Sequence, residues 1–163
     1  MAKSAKTTKK EKIVKDERMS WDEYFMGIAH LASKRSSCLR RSVGAVIVKD
    51  NHILSSGYNG APAKTKHCKE VGCLRQKLNV PSGQRHELCR GLHAEQNAFL
   101  QAALYGIPLQ GAKMYITVTP CVICAKMIIN AGVEEIIIDG EYPDKMAMDF
   151  LKEAKVKVRK LKK

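Results

Sequence analysis

Apolar residues recur at helical spacing at Tyr24, Phe25, Ile28 and Leu31, behind a Ser20/Glu23 pair spaced as a capping box. This pattern predicts a first helix running to about Lys34. Val43 to Lys49 and His52 to Tyr58 are rich in Val and Ile and flank Asp50-Asn51, which predicts an antiparallel hairpin around a tight turn. From Gly60 to Gly91 the periodicity disappears, and Gly, Pro, Ser, three cysteines and two histidines collect instead. A structureless stretch of that length is unusual inside a domain unless something besides apolar burial holds it, and a metal ion would do so. Order returns at His93, where Ala94, Asn97, Ala98, Leu100, Gln101 and Leu104 predict a helix ending near Gly106, before Pro108. A strand over Lys113 to Val118 follows. Pro120 then opens a helix over Val122 to Ala131, which Gly132 closes. Beyond it come a strand at Glu134 to Asp139, a helix at Asp144 to Ala154 and an edge strand at Val156 to Leu161. Strands alternating with helices after residue 93 call for right-handed crossovers and a partly parallel sheet covered by helices. The predicted class is therefore α/β.

Composition narrows the picture. At 163 residues, with 45% hydrophobic and 28% charged residues, the chain suits one domain and excludes a fibrous or wholly disordered protein. The apolar runs Val43 to Val48 and Ile136 to Ile138 fall far short of the roughly 20 residues that span a bilayer, so no membrane partner is expected. The first twenty residues are polar and lysine-rich with no secretory pattern, which predicts a cytoplasmic protein in a reducing compartment. The net charge of +13 resembles a nucleic-acid binder until it is mapped. Residues 1–18 hold seven Lys/Arg against three Asp/Glu and residues 152–163 seven against one, so the ends carry +10 and the body between them only +3. The boundaries that follow are a flexible basic leader at 1–18, a domain at 19–155 with an insertion at about 60–92, and a basic strand or tail at 156–163. The basic ends are candidates for weak nucleic-acid contact by counterion release.

The informative chemistry sits at two helix starts. His93-Ala94-Glu95 opens one, and Pro120-Cys121-Val122-Ile123-Cys124 opens the next. Cys-x-x-Cys lets two sulfurs share a tetrahedral ion, and one imidazole completes a three-ligand set with a fourth position open to water. Mixed thiolate and imidazole ligation favours zinc, and helix N-termini favour anionic thiolates. Glu95 lies two residues past the ligand His93, where a general base belongs for water acidified by a metal.

His-x-Glu followed by Pro-Cys-x-x-Cys resembles the zinc-dependent cytidine and deoxycytidylate deaminase superfamily. The surrounding words Val43-Gly44-Ala45-Val46, Gly57-Tyr58-Asn59-Gly60-Ala61-Pro62 and His93-Ala94-Glu95-Gln96-Asn97-Ala98 look like deoxycytidylate deaminases, including the bacterial competence-associated branch. The likeness spans about residues 19 to 155. It implies a three-layer αβα fold with a mixed sheet of about five strands, usually assembled into homo-oligomers. It also implies that His93, Cys121 and Cys124 bind the catalytic zinc and that Glu95 shuttles protons. Asn59, Ala94 and Tyr142 are the substrate contacts expected, and the reaction implied is deoxycytidylate to deoxyuridylate. The substrate phosphate needs cations or N–H donors, for which Lys64, Lys66, Arg90 and Tyr142 with Lys145 are unranked candidates.

Cys38, Cys68, Cys73 and Cys89 remain, and in a reduced protein they fit a second, structural zinc better than disulfides. His67 or His86 is an alternative ligand, since three Cys plus one His is equally good chemistry. Among relatives with a second zinc, viral deoxycytidylate deaminases have ligands matching Cys38 and Cys68. Two other functions compete with the leading one: a tRNA adenosine or other cytosine-nucleoside deaminase, and a non-catalytic competence-related DNA-binding module. The small charge excess of the body weighs against RNA as substrate.

Overall fold

The computed structural model describes residues 18–141 and 144–162; residues 1–17 of the lysine-rich leader, Tyr142, Pro143 and Lys163 lie outside the described residues. Helix α1 (Trp21–Ser33) starts at the capping box: Ser20 Oγ accepts from the Glu23 N–H at 3.2 Å, and Glu23 Oε2 accepts from the Ser20 N–H at 2.8 Å. Strands β1 (Gly44–Lys49) and β2 (His52–Tyr58) pair antiparallel across Asp50 and Asn51, whose φ values are 50° and 59°. Two successive left-handed residues are what a twist-matched two-residue hairpin needs.

The insertion departs from expectation. It is not structureless but holds two single-turn helices, α2 (Cys68–Val71) and α3 (Leu74–Lys77), a 3-10 turn at His86–Leu88, and a bridge that pairs Gly60 with Leu92. Local turns thus satisfy much of its backbone, where the absence of an apolar period had pointed to a loop. The rest follows the predicted order as α4 (Ala94–Leu104), β3 (Lys113–Ile116), α5 (Val122–Asn130), β4 (Glu135–Ile138), α6 (Lys145–Glu153) and β5 (Lys157–Lys160).

The sheet runs β2-β1-β3-β4-β5, with β1 antiparallel to both neighbours and β3, β4 and β5 mutually parallel. Strand alternation sorts its side chains onto two faces. Ala45, Ile47, Met114, Ile116 and Ile136 join α4, α5 and α6 in one core, whereas Val46, Val48, Tyr115 and Ile137 meet Phe25, Met26 and Ala29 of α1 in another. Among the described residues three helices therefore cover one face and one covers the other, the three-layer αβα arrangement expected.

A charged cluster fastens the last strand to the first helix. Arg159 donates to Asp22 Oδ1 and to Glu135 Oε1, each at 2.8 Å, while the Tyr115 hydroxyl donates to Asp22 Oδ1 at 2.9 Å. Among the described residues no helix is long and apolar enough to cross a membrane.

Candidate active site

The start of α4 is held from three directions. The Gln96 side chain accepts from the His93 N–H at 2.8 Å, which fixes the N-cap. Asn97 Nδ2 donates to the Tyr58 carbonyl at 2.7 Å, tying the helix to the end of β2. Gly57 allows the contact between them, because a Cβ there would lie 2.2 Å from the Ala94 carbonyl oxygen and 2.5 Å from the Ala98 nitrogen. Only a residue without a side chain lets this backbone approach so closely.

The start of α5 is held by a side chain from outside it. Cys121 is the N-cap and Cys124 falls in the first turn, beside a fully buried Pro120. Asp144 Oδ2 accepts from the Val122 N–H at 2.9 Å while Asp144 Oδ1 accepts from the Ala147 N–H at 3.0 Å. One carboxylate thereby caps both α5 and α6. The sequence marks Asp144 as the start of the last helix; its second oxygen reaches 22 residues back, which no local pattern reveals.

These two helix starts bring His93 Nδ1 to 3.3 Å from Cys121 Sγ and 3.4 Å from Cys124 Sγ, and all three ligand atoms lie within 4.8 Å of one another. Ligands sharing a tetrahedral zinc at usual bond lengths stand about 3.5 Å apart, so the donor set and its spacing fit that ion. Hydrogen bonding from Cys124, opposed by burial and aided by His93, draws the Cys121 thiol down to about 4. The bond to Cys121 and burial push Cys124 up, so the pair shares one proton. His93 is raised, chiefly by its bond to Cys121. Glu95 is 3% exposed, and burial raises its proton affinity well above that of a free carboxyl. The Glu95 charge and the Cys124 thiol shift one another's proton affinity, so the carboxyl stands beside the ligand set.

A cleft opens onto this group. Asn59 and Ala94, the expected substrate contacts, both line it. The Asn59 amide already bridges two backbone groups, accepting from the Val43 N–H and donating to the Arg41 carbonyl, each at 2.8 Å. It therefore shapes the wall of the cleft. Arg90 also lines the cleft, unlike Lys64, Lys66 and Lys145. Tyr142 lies outside the described residues.

Cys38, Cys68, Cys73 and Cys89 are free and ring the same cleft. Burial and then its neighbours Cys89, Cys38 and Cys73 push the Cys68 thiol up, so the four are electrostatic neighbours. Among the described residues, however, only His93, Cys121 and Cys124 bring three ligand atoms within 4.8 Å of one another. The difference has a physical source, since thiols bond each other weakly whereas the His93 ring ties its two sulfurs directly. His67 Nδ1 is engaged with Ser37 Oγ at 3.0 Å, while both ring nitrogens of His86 are buried without a partner. The His86 ring stands edge-on to His93, 4.9 Å between centroids.

Residues 19–139 match the model of the family described as cytidine and deoxycytidylate deaminase zinc-binding region. This chain belongs to that family. Among deaminase-family relatives, ComE operon protein 2 of Bacillus subtilis is 42% identical over 77% of this chain and 62% of its own length. Deoxycytidylate deaminase of Schizosaccharomyces pombe is 38% identical over 87% of this chain and 44% of its own. The chain thus spans roughly half the length of these curated relatives. The dCMP deaminase of cyanophage S-TIM5, solved in complex with dCMP and dUMP, superposes with a TM-score of 0.73 at 34% identity over 85% of this chain and 95% of its own.

Proposed function

We propose that this chain is a zinc-dependent deaminase that hydrolyses deoxycytidylate to deoxyuridylate, a step that supplies thymidylate synthesis. The observation that carries the reading is the buried Glu95 carboxyl, which lines an open cleft together with His93 and Cys121 of a three-ligand His-Cys-Cys set. Family membership supports the chemistry, and the likeness to an enzyme solved with dCMP and dUMP supports a monophosphate substrate. Held by His93, Cys121 and Cys124, zinc would supply Lewis acidity and an acidified water at neutral pH. Glu95 takes the proton that water gives up and delivers it to the ring nitrogen beside the amino-bearing carbon. It then carries the second proton to the departing amine, so cytosine and water become uracil and ammonia. Its raised proton affinity suits a group that must hold a proton and hand it back near neutral pH.

A second, structural zinc among Cys38, Cys68, Cys73 and Cys89 belongs to the same proposal, supported by their shared wall and mutual electrostatic influence. His86, with both nitrogens unpartnered, is a better substitute ligand than His67. Metal analysis should return about two zinc per chain, and a count near one removes this centre. We infer self-association from Leu104 and Tyr105, 75% and 67% exposed at the end of α4, and a cytoplasmic setting from six free cysteines. Weak nucleic-acid contact is assigned to the basic ends.

The deciding experiment follows the ultraviolet absorbance of dCMP, dCTP, cytidine and deoxycytidine with purified protein. Turnover led by dCMP is expected; turnover confined to nucleosides overturns the substrate. The second reading is a DNA-binding module, for which the basic ends of the chain speak. DNA binding with no deamination of any of the four would favour it.

A further inference from the structure

The two stretches that carry the positive charge are joined to the fold at one corner. The leader, residues 1–18 at +4, ends three residues before Trp21, and residues 152–163, at +6, contain β5. They meet where Arg159 of β5 donates to Asp22 Oδ1 at 2.8 Å and Leu161 packs against the α1 core of Phe25 and Met26. The strand register sets Lys113, Glu135 and Lys157 side by side across β3, β4 and β5. Strand alternation puts that row on the face of Tyr115 and Arg159, the face that α1 covers. Lys113 pairs with Glu135 at 3.1 Å, and both Lys113 and Lys157 are exposed. Two aromatic side chains stand out at the same corner. Trp21 is 55% and Tyr24 43% exposed, with their rings edge to face at 5.9 Å, and Trp21 is stacked on the buried Phe25 at 5.4 Å. A ring held in place by a core neighbour yet open to water, among lysines, suits unstacked bases: the ring takes the face of a base while the cations follow the phosphates.

We propose that Trp21 and Tyr24, with the basic ends of the chain around them, form a docking surface for single-stranded DNA. This inference rests on the nucleic-acid contact assigned above to the basic ends and adds the side chains that receive the bases. Charge argues for a polyanion, because the ends hold +10 of the net +13. The rings argue for a single strand, because a duplex keeps its base faces stacked and out of reach. Asp22 and Glu23, the carboxylates in the first turn of α1, are engaged by Arg159, Tyr115 and Ser20 rather than set out to accept from a 2′-hydroxyl, which argues for DNA over RNA. The surface is separate from the catalytic cleft, which none of Trp21, Tyr24, Lys113 and Lys157 lines.

Trp21 is the one tryptophan of the chain, so its fluorescence reads the surface directly. Zinc-replete protein, with excess dUMP to fill the cleft, is titrated with a labelled oligothymidylate of about 20 nucleotides. Anisotropy of the label follows binding, and Trp21 emission follows stacking. Wild type should bind with Trp21 quenched in step with the anisotropy, and more weakly as salt rises. Trp21→Ala and Tyr24→Ala should each weaken binding about 5- to 100-fold with dCMP turnover within about twofold of wild type. Tyr24→Ala keeps the fluorescent reporter and gives the answer if Trp21→Ala does not fold. Lys113→Gln combined with Lys157→Gln should flatten the salt dependence. Binding that leaves Trp21 emission unchanged, and is undiminished in both aromatic variants, overturns the stacking surface and leaves the contact to the lysines alone. Absence of binding at low salt overturns the contact of the basic ends as well. Tighter binding of an oligouridylate RNA, or of a DNA duplex of the same length, overturns the assignment to single-stranded DNA. A Trp21 signal that shifts with protein concentration alone gives the rings to a second copy of the chain and overturns the proposal.

Discussion

Glu95 reaches its position because His93 ends an extended segment and α4 begins at Ala94, which turns the second residue of the helix back toward the ligands. Replacing it with Gln keeps the shape and removes the proton carrier, so kcat for dCMP should fall about 10²- to 10⁴-fold. Zinc content should stay at the wild-type value, because Glu95 is outside the three-ligand set; parallel loss of zinc would mean that the carboxyl binds metal instead. Cys121→Ser should lose the catalytic zinc, read as one equivalent fewer by metal analysis. These four residues were legible in the sequence because each pair lies within one helical turn. Asn59 was half legible: its place on the cleft was expected, while its bridge between Val43 and Arg41 depends on how the segment before β1 returns past β2.

At the scale of elements, α5 and α6 form a coupled pair through Asp144. Asp144→Ala leaves two helix starts uncapped, at a cost of about 1–2 kcal/mol in unfolding free energy. Because one cap sits on the turn that carries both sulfurs, zinc affinity should also drop by about 10- to 100-fold. Asp144→Asn, which keeps an oxygen acceptor, should recover part of both losses in denaturant and chelator titrations. Gly57→Ala tests the other helix start: its Cβ would meet the Ala94 carbonyl at 2.2 Å, so α4 must shift. A stability loss of about 1–3 kcal/mol with reduced deamination is expected, and an unchanged enzyme would mean that the contact is not needed. Helices and strands were legible to within two residues, since burial on two sheet faces imposes periods that the sequence displays. The insertion was not, because single-turn helices leave no period to read.

The molecule as a whole is closed by the cluster of Asp22, Tyr115, Glu135 and Arg159. Asp22 is drawn below the usual carboxylate range, mainly by Arg159. Burial raises Glu135, but Arg159 and Lys113 outweigh it, so its net shift is also downward. A carboxyl more acidic in the folded chain than in the unfolded one stabilises the fold above the unfolded value, near pH 4. That contribution disappears as pH falls through the depressed folded values. The thermal midpoint of the native protein should therefore drop steeply below about pH 4, and Asp22→Asn should start lower and fall less steeply over the same range. An identical slope in the variant would remove Asp22 from the acid response.

The strand that this cluster secures is also the last in the sheet, and among the described residues no strand pairs with its outer edge. A free sheet margin invites stray chains to add on and seed aggregates, and lysines along it are a common deterrent. Here Lys157 and Lys160 are exposed on that strand, and Arg159 is drawn inward to Asp22 and Glu135. The positive charge of the C-terminal segment thus has a physical consequence that needs no nucleic acid: two such edges brought together would set lysine against lysine.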